Sequence, residues 1–353
     1  MFSDKRLSER IISPYSTLLE AMQRMDKTYQ KLLLVLSDDQ FIGLISAGDI
    51  QRAIIRNIPL DTALVELIRS NIKFATIDTS IEEIRAQMLE FRMELMPVIN
   101  HDKKLIRVHF WEDIFGAPPI DTRPLLDADV VIMAGGAGIR MKPITNVIPK
   151  LLIPIGERPI IEYIIDNFKK IGCSKYYLSI NYKADLIKYY FQSTAHPNCS
   201  ISFIHEPAPL GTAGSLKLLE GIIKDTFFVT NCDILIDQDY REIWDFHKEQ
   251  NSELTLVSSL KNISIPYGTL NVGDQGQLFK LNEKPTISFF INAGMYIIEP
   301  HLLREMPQST FLNITDLING ILARGGKVAV FPTSEGSLQD IGNWEEYLKH
   351  IGR

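Results

Sequence analysis

The sequence predicts an α/β protein in two parts: an α+β pair of repeated units, then a larger, mostly parallel mixed sheet with helices on both faces. Three observations predict it. Residues 16–49 and 80–113 run through one helix–strand–turn–strand–helix order at a spacing of about 64 residues, too long for a solenoid unit and suited to a pseudo-symmetric pair. The stretch GAPPIDTRPLLDAD at 116–129 carries three prolines, which disfavour helix and read as an extended linker. Beyond it, buried-strand patterns alternate with amphipathic helices, and ligands of such sheets sit beyond the carboxyl ends of the strands. The expected boundaries are 1–117 for the pair, 118–128 for the linker and 129–353 for the larger domain.

In the first copy TLLEAMQRM reads as a helix, LLLVL as a buried strand, SDDQ as a turn, FIGLIS as a second strand and AGDIQRAII as the next helix. The second copy repeats this as IEEIRAQMLE, LMPVI, NHDKK, LIRVHF and WEDIF, with Asp49 and Asp113 at equivalent ends. Residues Gly43-Leu44-Ile45-Ser46-Ala47-Gly48-Asp49-Ile50 fit the Gly-h-x-(Ser/Thr)-x-x-Asp pattern, and the repeat resembles a CBS-domain pair. The resemblance implies an adenine nucleotide held by Ser46 and Asp49. In the second copy Arg107 takes the glycine place and Phe110 the hydroxyl place, so one nucleotide site at most is expected. The alternative role of such a pair is a dimerising or packing module, and a homo-oligomer is expected.

In the larger domain DADVVIMAGG reads as a buried strand entering a glycine turn, and PIIEYIIDNFKKIG as a helix ended by Gly172. YYLSIN (strand), ADLIKYYF (helix), SISFIHE (strand), AGSLKLLEGII (helix) and TFFVTNCD (strand) follow. The turn continues as Ala134-Gly135-Gly136-Ala137-Gly138-Ile139-Arg140-Met141-Lys142-Pro143 and ends in Pro149-Lys150. Glycines after a strand let backbone N–H groups approach an anion. A dinucleotide fingerprint needs a glycine where Met141 stands, and a Walker loop needs Gly-Lys-Ser/Thr, which does not occur here. What remains is a cradle followed by two fixed cations, Arg140 and Lys150, a set that fits a nucleoside triphosphate. An arginine about 4 Å from a phosphate charge is worth roughly 4 kcal/mol at an effective dielectric of about 20.

The segment AGGAGIRMKPITNVIPKLLIPIGERPIIE at 134–162 resembles the signature of the sugar-1-phosphate nucleotidyltransferases. The similarity runs to about Leu348 and implies a Rossmann-like, GT-A-like catalytic fold. Arg140 and Lys150 are then catalytic, with Ala134, Gly135, Gly136, Gly138, Gly211 and Thr212 on the nucleotide. Ile139 stands where the family usually has a small hydroxyl residue. Asp233, ending a buried strand, and Asp340, in Leu338-Gln339-Asp340-Ile341-Gly342, match the family's metal ligands and imply Mg2+, which takes only one or two protein carboxylates. On the sugar-phosphate side the matching residues are Gly268 (after Tyr267), Glu283 and Lys284 in Asn-Glu-Lys-Pro, and Asn292 in Ile-Asn-Ala-Gly-Met-Tyr.

The base-pocket segment of the family matches His205-Glu206-Pro207-Ala208-Pro209-Leu210-Gly211-Thr212. Thymidylyl and uridylyl members tend to carry Gln where this chain has Glu206. A carboxylate only accepts, and guanine presents N1–H and N2–H2 side by side, so GTP is the favoured donor. A CBS pair fused to this transferase resembles guanylyltransferases that act on glucosamine-1-phosphate in legionaminic acid synthesis; mannose- and heptose-1-phosphate stay open.

Composition agrees with a globular, cytoplasmic enzyme. At 353 residues, 45% hydrophobic and 23% charged with net charge −6, the chain suits neither a nucleic-acid nor a membrane-surface binder. Cys173, Cys199 and Cys232 form no C-x-x-C pair and fit a reducing compartment. The N-terminus has no apolar core of a signal peptide, and no apolar run reaches membrane-spanning length. The seven histidines show no metal-ligand spacing and no Ser/His/Asp or Cys/His nucleophile set is evident.

Overall fold

A computed structural model of the chain describes residues 5–69, 72–91, 93–116, 123–308 and 310–351; the linker positions 118–122 lie outside them. The chain divides into two compact units, Met1–Pro124 and Leu125–Arg353. Among the described residues no helix is long and apolar enough to cross a membrane.

The first unit begins with α1 (Lys5–Arg10) and two small sheets follow. One holds β1 (Ile11–Ile12), β2 (Leu32–Ser37) and β3 (Gln40–Ser46), flanked by α2 (Leu18–Thr28) and α3 (Ala47–Ile55). The other holds β4 (Ala75–Thr76), β5 (Leu95–Ile99) and β6 (Leu105–Phe110), with α4 (Ile81–Phe91) and α5 (Trp111–Phe115). In both, the short first strand is parallel to the second and the second antiparallel to the third, which is the expected repeat. Capping repeats too. Thr17 Oγ1 accepts from Glu20 N at 3.1 Å while Glu20 Oε2 accepts from Thr17 N, and Ser80 with Glu83 does the same before α4. The copies join where the Phe41 N–H donates to Lys103 O and the Leu105 N–H to Asp39 O. Leu34, Leu36 and Phe41 of the first copy share a core with Leu95, Leu105 and Phe110 of the second.

In the second unit the strands are β7 (Asp129–Ala134), β8 (Pro154–Ile155), β9 (Arg158–Pro159), β10 (Lys175–Ile180), β11 (Ser200–His205), β12 (Phe227–Asn231) and β13 (Ile234–Ile236). They continue as β14 (Leu254–Ser264), β15 (Thr269–Val272), β16 (Leu278–Asn282), β17 (Thr286–Ile298), β18 (Val328–Thr333) and β19 (Leu338–Asp340). The helices are α6 (Ile160–Lys170), α7 (Ala184–Ser193), α8 (Tyr240–Gln250), α9 (His301–Glu305), α10 (Ile314–Ala323) and α11 (Trp344–Ile351). Seven strands form the central sheet in the order β11-β10-β7-β12-β17-β14-β18, and only β17 runs against its neighbours. One face packs Ile132, Leu178 and Phe228 against Ile161, Ile165 and Phe168 of α6; the other packs Val131 and Val229 against Leu302, Leu317 and Ile321. The mostly parallel mixed sheet covered on both faces is the predicted fold class.

One element differs from expectation. The segment 213–223 forms a 3-10 run at Gly214–Leu219 instead of an α-helix. The N–H groups of Ala213 and Gly214 both donate to Leu312 O, and a Cβ on Gly214 would stand 2.6 Å from Thr310 O. Backbone packing against the 310–312 segment therefore overrides the apolar period. Gly221, at φ 77, then ends the run.

Beneath the sheet, His247 is buried between Thr255 Oγ1 (2.7 Å from Nδ1) and Glu299 Oε1 (3.1 Å from Nε2). Burial pushes the Glu299 carboxyl up, but hydrogen bonds from His247, Lys248 and Thr226 outweigh it and hold it at about 2, against an ordinary 4.5. A carboxyl depressed in the folded state stabilises above its unfolded value and loses that stabilisation as pH falls toward the folded one. In urea titrations, stability is expected to fall from about pH 4.5 toward pH 2, and less steeply in Glu299→Gln. Equal slopes in the two proteins would exclude this network from acid unfolding.

Candidate active site

A cleft of about 370 Å3 lies where β7 and β12 end. Gly135, Gly136, Gly138, Arg140 and Lys150 line it from the loop after β7; Glu206, Gly211 and Thr212 line it from the segment after β11, and Asp233 from the turn after β12. Ala134 is the buried last residue of β7.

The loop is held by its own buried parts. Gly138 is at φ 62, and a Cβ there would meet Thr145 Cγ2 at 2.8 Å, so both conformation and space require glycine. Thr145 is fully buried and donates to Gly138 O at 3.0 Å; Tyr182 Oη donates to Thr145 O, and Lys183 Nζ to the carbonyls of Asn146 and Val147. Met141 fills the core. Ile139 and Arg140 are exposed on this clamped turn, and Arg140 has no ion pair among the described residues, so its charge is available to a ligand.

At the end of the loop Lys150 is ion-paired with Asp233, both nearly buried. Asp340 arrives from more than a hundred residues away because β13 pairs antiparallel with β19, placing Ile234 opposite Asp340. A Cβ on Gly342 would stand 2.3 Å from Asp233 Oδ2, 2.6 Å from Asp340 Oδ1 and 2.7 Å from Lys150 Nζ. Two carboxylate oxygens and an ammonium thus converge on one small cradle that only a hydrogen leaves open. An all-oxygen donor pair of this kind fits a hard divalent cation such as Mg2+.

Glu206 is only 4% exposed. Its Oε1 accepts from Ser179 Oγ at 2.5 Å and its Oε2 from the Leu210 N–H at 3.2 Å. Gly211 packs against Leu312, where a Cβ would come 2.5 Å from the carbonyl oxygen, and Thr212 Oγ1 accepts from the Ile314 N–H at the start of α10.

The sugar-side residues lie outside that cleft lining. Because β17 is antiparallel to β12, its residues 286–292 and their partners on β14 run past the carboxyl ends of the parallel strands. Register shifts between Leu256 and Ser258, with Gly294 at φ 77 opposite, make a bulge. Asn292 sits beside it, accepting from the Gly294 N–H at 3.0 Å and donating to Tyr296 Oη at 2.7 Å. A Cβ on Gly294 would meet Asn231 Nδ2 at 2.6 Å, which ties this bulge to the cleft wall. Further out, Thr269 pairs with Asn282 in the β15–β16 hairpin, so Gly268 and Glu283 are neighbours at its base, with Lys284 next.

In the first unit Ser46 and Asp49 form the N-cap of α3. Ser46 Oγ donates to Asp49 Oδ2 at 2.6 Å, and Asp49 Oδ1 accepts from Arg52 at 2.7 Å and from Arg69. Burial pushes the Asp49 carboxyl up, but the Ser46 and Arg52 hydrogen bonds and the Arg69 charge hold it below the usual range. In the second copy Phe110 caps nothing, and Asp113 pairs with Arg6 at 2.9 Å.

Three lining residues, Phe311, Pro209 and Asn231, were not singled out from the sequence, nor was Ser179, which is buried beneath Glu206 and outside the lining. Gly342 stood in a quoted segment, but only the fold shows what it faces. Among the histidines, exposed His301 joins half-buried Glu253 and exposed Glu305, and Arg324 already pairs with both carboxylates. Cys232 lines the cleft, yet burial pushes its thiol up to about 12. A buried thiol held protonated in this way is a poor nucleophile. Iodoacetamide at pH 8 is expected to label this thiol only after unfolding. Rapid labelling with loss of activity would overturn that reading.

A glycine loop at the carboxyl end of a central strand, beside cations and carboxylates, is an arrangement with which α/β proteins hold anionic ligands. The chain belongs to the nucleotidyl transferase family, which matches residues 129–351, and a CBS domain matches residues 10–56. It is 32% identical over 229 residues to the mannose-1-phosphate guanyltransferase of Emericella nidulans, a match covering 62% of each chain. It is 31% identical over 225 residues to the catalytic subunit beta of the mannose-1-phosphate guanylyltransferase of Danio rerio, again covering 62% of each. The chain therefore spans about 62% of the length of the curated relatives it matches. Among solved structures, HddC from Yersinia pseudotuberculosis superposes with TM-score 0.51 at 27% identity, covering 64% of this chain and 98% of that one. A second HddC structure, complexed with GMP-PN, matches at 26% identity with the same TM-score.

Proposed function

We propose that the second unit transfers a guanylyl group from GTP to a sugar-1-phosphate, releasing pyrophosphate and leaving a GDP-sugar. The observation that carries the reading is the Glu206 carboxylate, fixed in the wall of the cleft against the glycine loop. A carboxylate has about four lone-pair sites and the described residues use two, leaving acceptors for guanine N1–H and N2–H2. The guanylyltransferase names of the relatives and the GMP-PN complex of HddC support the same base.

The chemistry asks little covalent work of the chain. The phosphate oxygen of a sugar-1-phosphate, largely deprotonated at pH 7, attacks the α-phosphorus in line, and the bond to the pyrophosphate oxygen breaks. Loop N–H groups and Arg140 receive the charge of the departing pyrophosphate, and Lys150 orients the α-phosphate. Asp233 and Asp340 would hold Mg2+, which supplies charge neutralisation between phosphate oxygens when bound. Gly268, Glu283, Lys284 and Asn292 would take the sugar and its phosphate.

Glucosamine-1-phosphate is the acceptor put first, on the resemblance carried by the fused CBS pair. Mannose-1-phosphate is the second reading, favoured by the relatives' names. For the first unit we propose an adenine nucleotide at Ser46 and Asp49, which would have to take over contacts now made by Arg52 and Arg69. The test is pyrophosphate release over the four nucleoside triphosphates and the three sugar-1-phosphates, repeated with AMP and ATP. GTP with one sugar phosphate is expected to dominate. UTP or CTP outrunning GTP would overturn the base, and no release with any pair would overturn the activity.

A further inference from the structure

We infer that Ser179 is the positioning residue that sets the nucleobase choice, by holding the Glu206 carboxylate in one orientation. The inference rests on the guanylyl reading above. Ser179 lies on β10, which is flanked by β7 and β11, and is 1% exposed. Its register partner on β11 is Ile204, two residues before Glu206. From there its hydroxyl donates to Glu206 Oε1 at 2.5 Å, in the range of a charge-assisted bond.

The other constraints on Glu206 act on the backbone or on the other oxygen. The Glu206 N–H donates to Ile180 O at 3.0 Å, Asn181 Nδ2 donates to Glu206 O at 2.8 Å, and the Leu210 N–H reaches Oε2 at 3.2 Å. On the loop side the carboxylate is packed so closely that a Cβ on Gly135 would stand 2.4 Å from Oε1 and 2.8 Å from Cδ. The backbone bonds fix where residue 206 is. Among the described residues the Ser179 hydroxyl is the hydrogen-bond donor to Oε1, and with the longer Leu210 N–H bond to Oε2 it sets the plane that the carboxylate presents to the cleft.

That plane decides which base edge fits. Two adjacent N–H donors, as on guanine, meet a carboxylate edge-on; a uracil edge places carbonyl oxygens on both sides of its single N–H and sets one against the carboxylate. Held by the longer Leu210 N–H bond alone, the carboxylate gains freedom about its broad last side-chain torsion, and this discrimination weakens. Removing Ser179 also leaves a nearly buried oxygen without its donor. The alternative is that the hydroxyl only satisfies a buried charge, a role that changes stability and not selectivity.

The experiment measures kcat and KM for GTP and UTP on the full chain, with the sugar-1-phosphate found active above, for wild type, Ser179→Ala, Ser179→Cys, Glu206→Gln and the Ser179→Ala/Glu206→Gln double variant. Ser179→Ala is expected to lower the GTP:UTP ratio of kcat/KM about tenfold. The fall should come through a raised KM for GTP, with kcat and the KM for the sugar phosphate within about twofold. Ser179→Cys, with a weaker donor of similar size, is expected to fall between, and keeps the test valid if the alanine variant folds poorly. In the double variant the serine change is expected to add nothing to the loss from Glu206→Gln. A wild type selective for GTP, with the ratio unchanged in Ser179→Ala or Ser179→Cys, overturns the inference alone. A wild type that does not prefer GTP overturns the guanylyl reading and this inference with it.

Discussion

Asparagine at position 233 is expected to lower kcat for pyrophosphate release by about a thousandfold while leaving the fold intact. Asp233 is 6% exposed, ion-paired with Lys150, and converges with Asp340 over Gly342. The amide keeps the shape and removes the charge, so the site loses half of its anionic donor pair. Lys150, nearly buried, loses its counter-ion, and breaking such a pair costs about 3 kcal/mol. Magnesium is expected to raise the thermal midpoint of the wild type in the presence of GTP and to have no such effect on Asp233→Asn, a readout independent of turnover. A variant with wild-type kcat, or with an unchanged response to magnesium, would remove Asp233 from the metal site.

Alanine at Gly342 comes next in expected effect. The added methyl would stand 2.3–2.7 Å from three charged side-chain atoms, closer than any real contact, so Asp233, Asp340 and Lys150 must all give way. Displacements of about 1 Å at a reacting centre cost on the order of a hundredfold in rate. The loss is expected in kcat at saturating GTP, with circular dichroism unchanged. Activity within fivefold of wild type would show that the cradle is roomier than the structure indicates.

Much of this protein was legible in its sequence for local reasons. The repeat of the first unit was readable because helix and strand periods and turn residues are local; the structure adds matching capping boxes at Thr17–Glu20 and Ser80–Glu83. The glycine loop was readable for the same reason. What the sequence concealed depends on pairing between distant segments. The β13–β19 contact puts Asp233 beside Asp340, and nothing in either segment announces that Gly342 is the space between them. Ser179 looked like one more residue of a buried strand, and its meaning comes only from the register of β10 with β11. The run 213–223 had a helical period, but its N–H groups found Leu312 O instead.

The antiparallel β17 has a mechanical consequence. Together with β14 it extends past the seven-stranded sheet as a two-stranded ribbon, about six residues of each strand or roughly 20 Å, braced on one side where Glu335 accepts from Asn262 N and Nδ2 and pairs with Lys261. The β15–β16 hairpin, with Gly268 and Glu283 at its base, is carried at the free end. Such a ribbon behaves as a cantilever: its tip position amplifies any change of angle at its base. The bulge at Leu256–Ser258 opposite Gly294 sits at that base, where a bend of a few degrees displaces the tip by more than an ångström. The placement of Gly268 and Glu283 is thus set in part at the fulcrum, by residues distant from them along the ribbon.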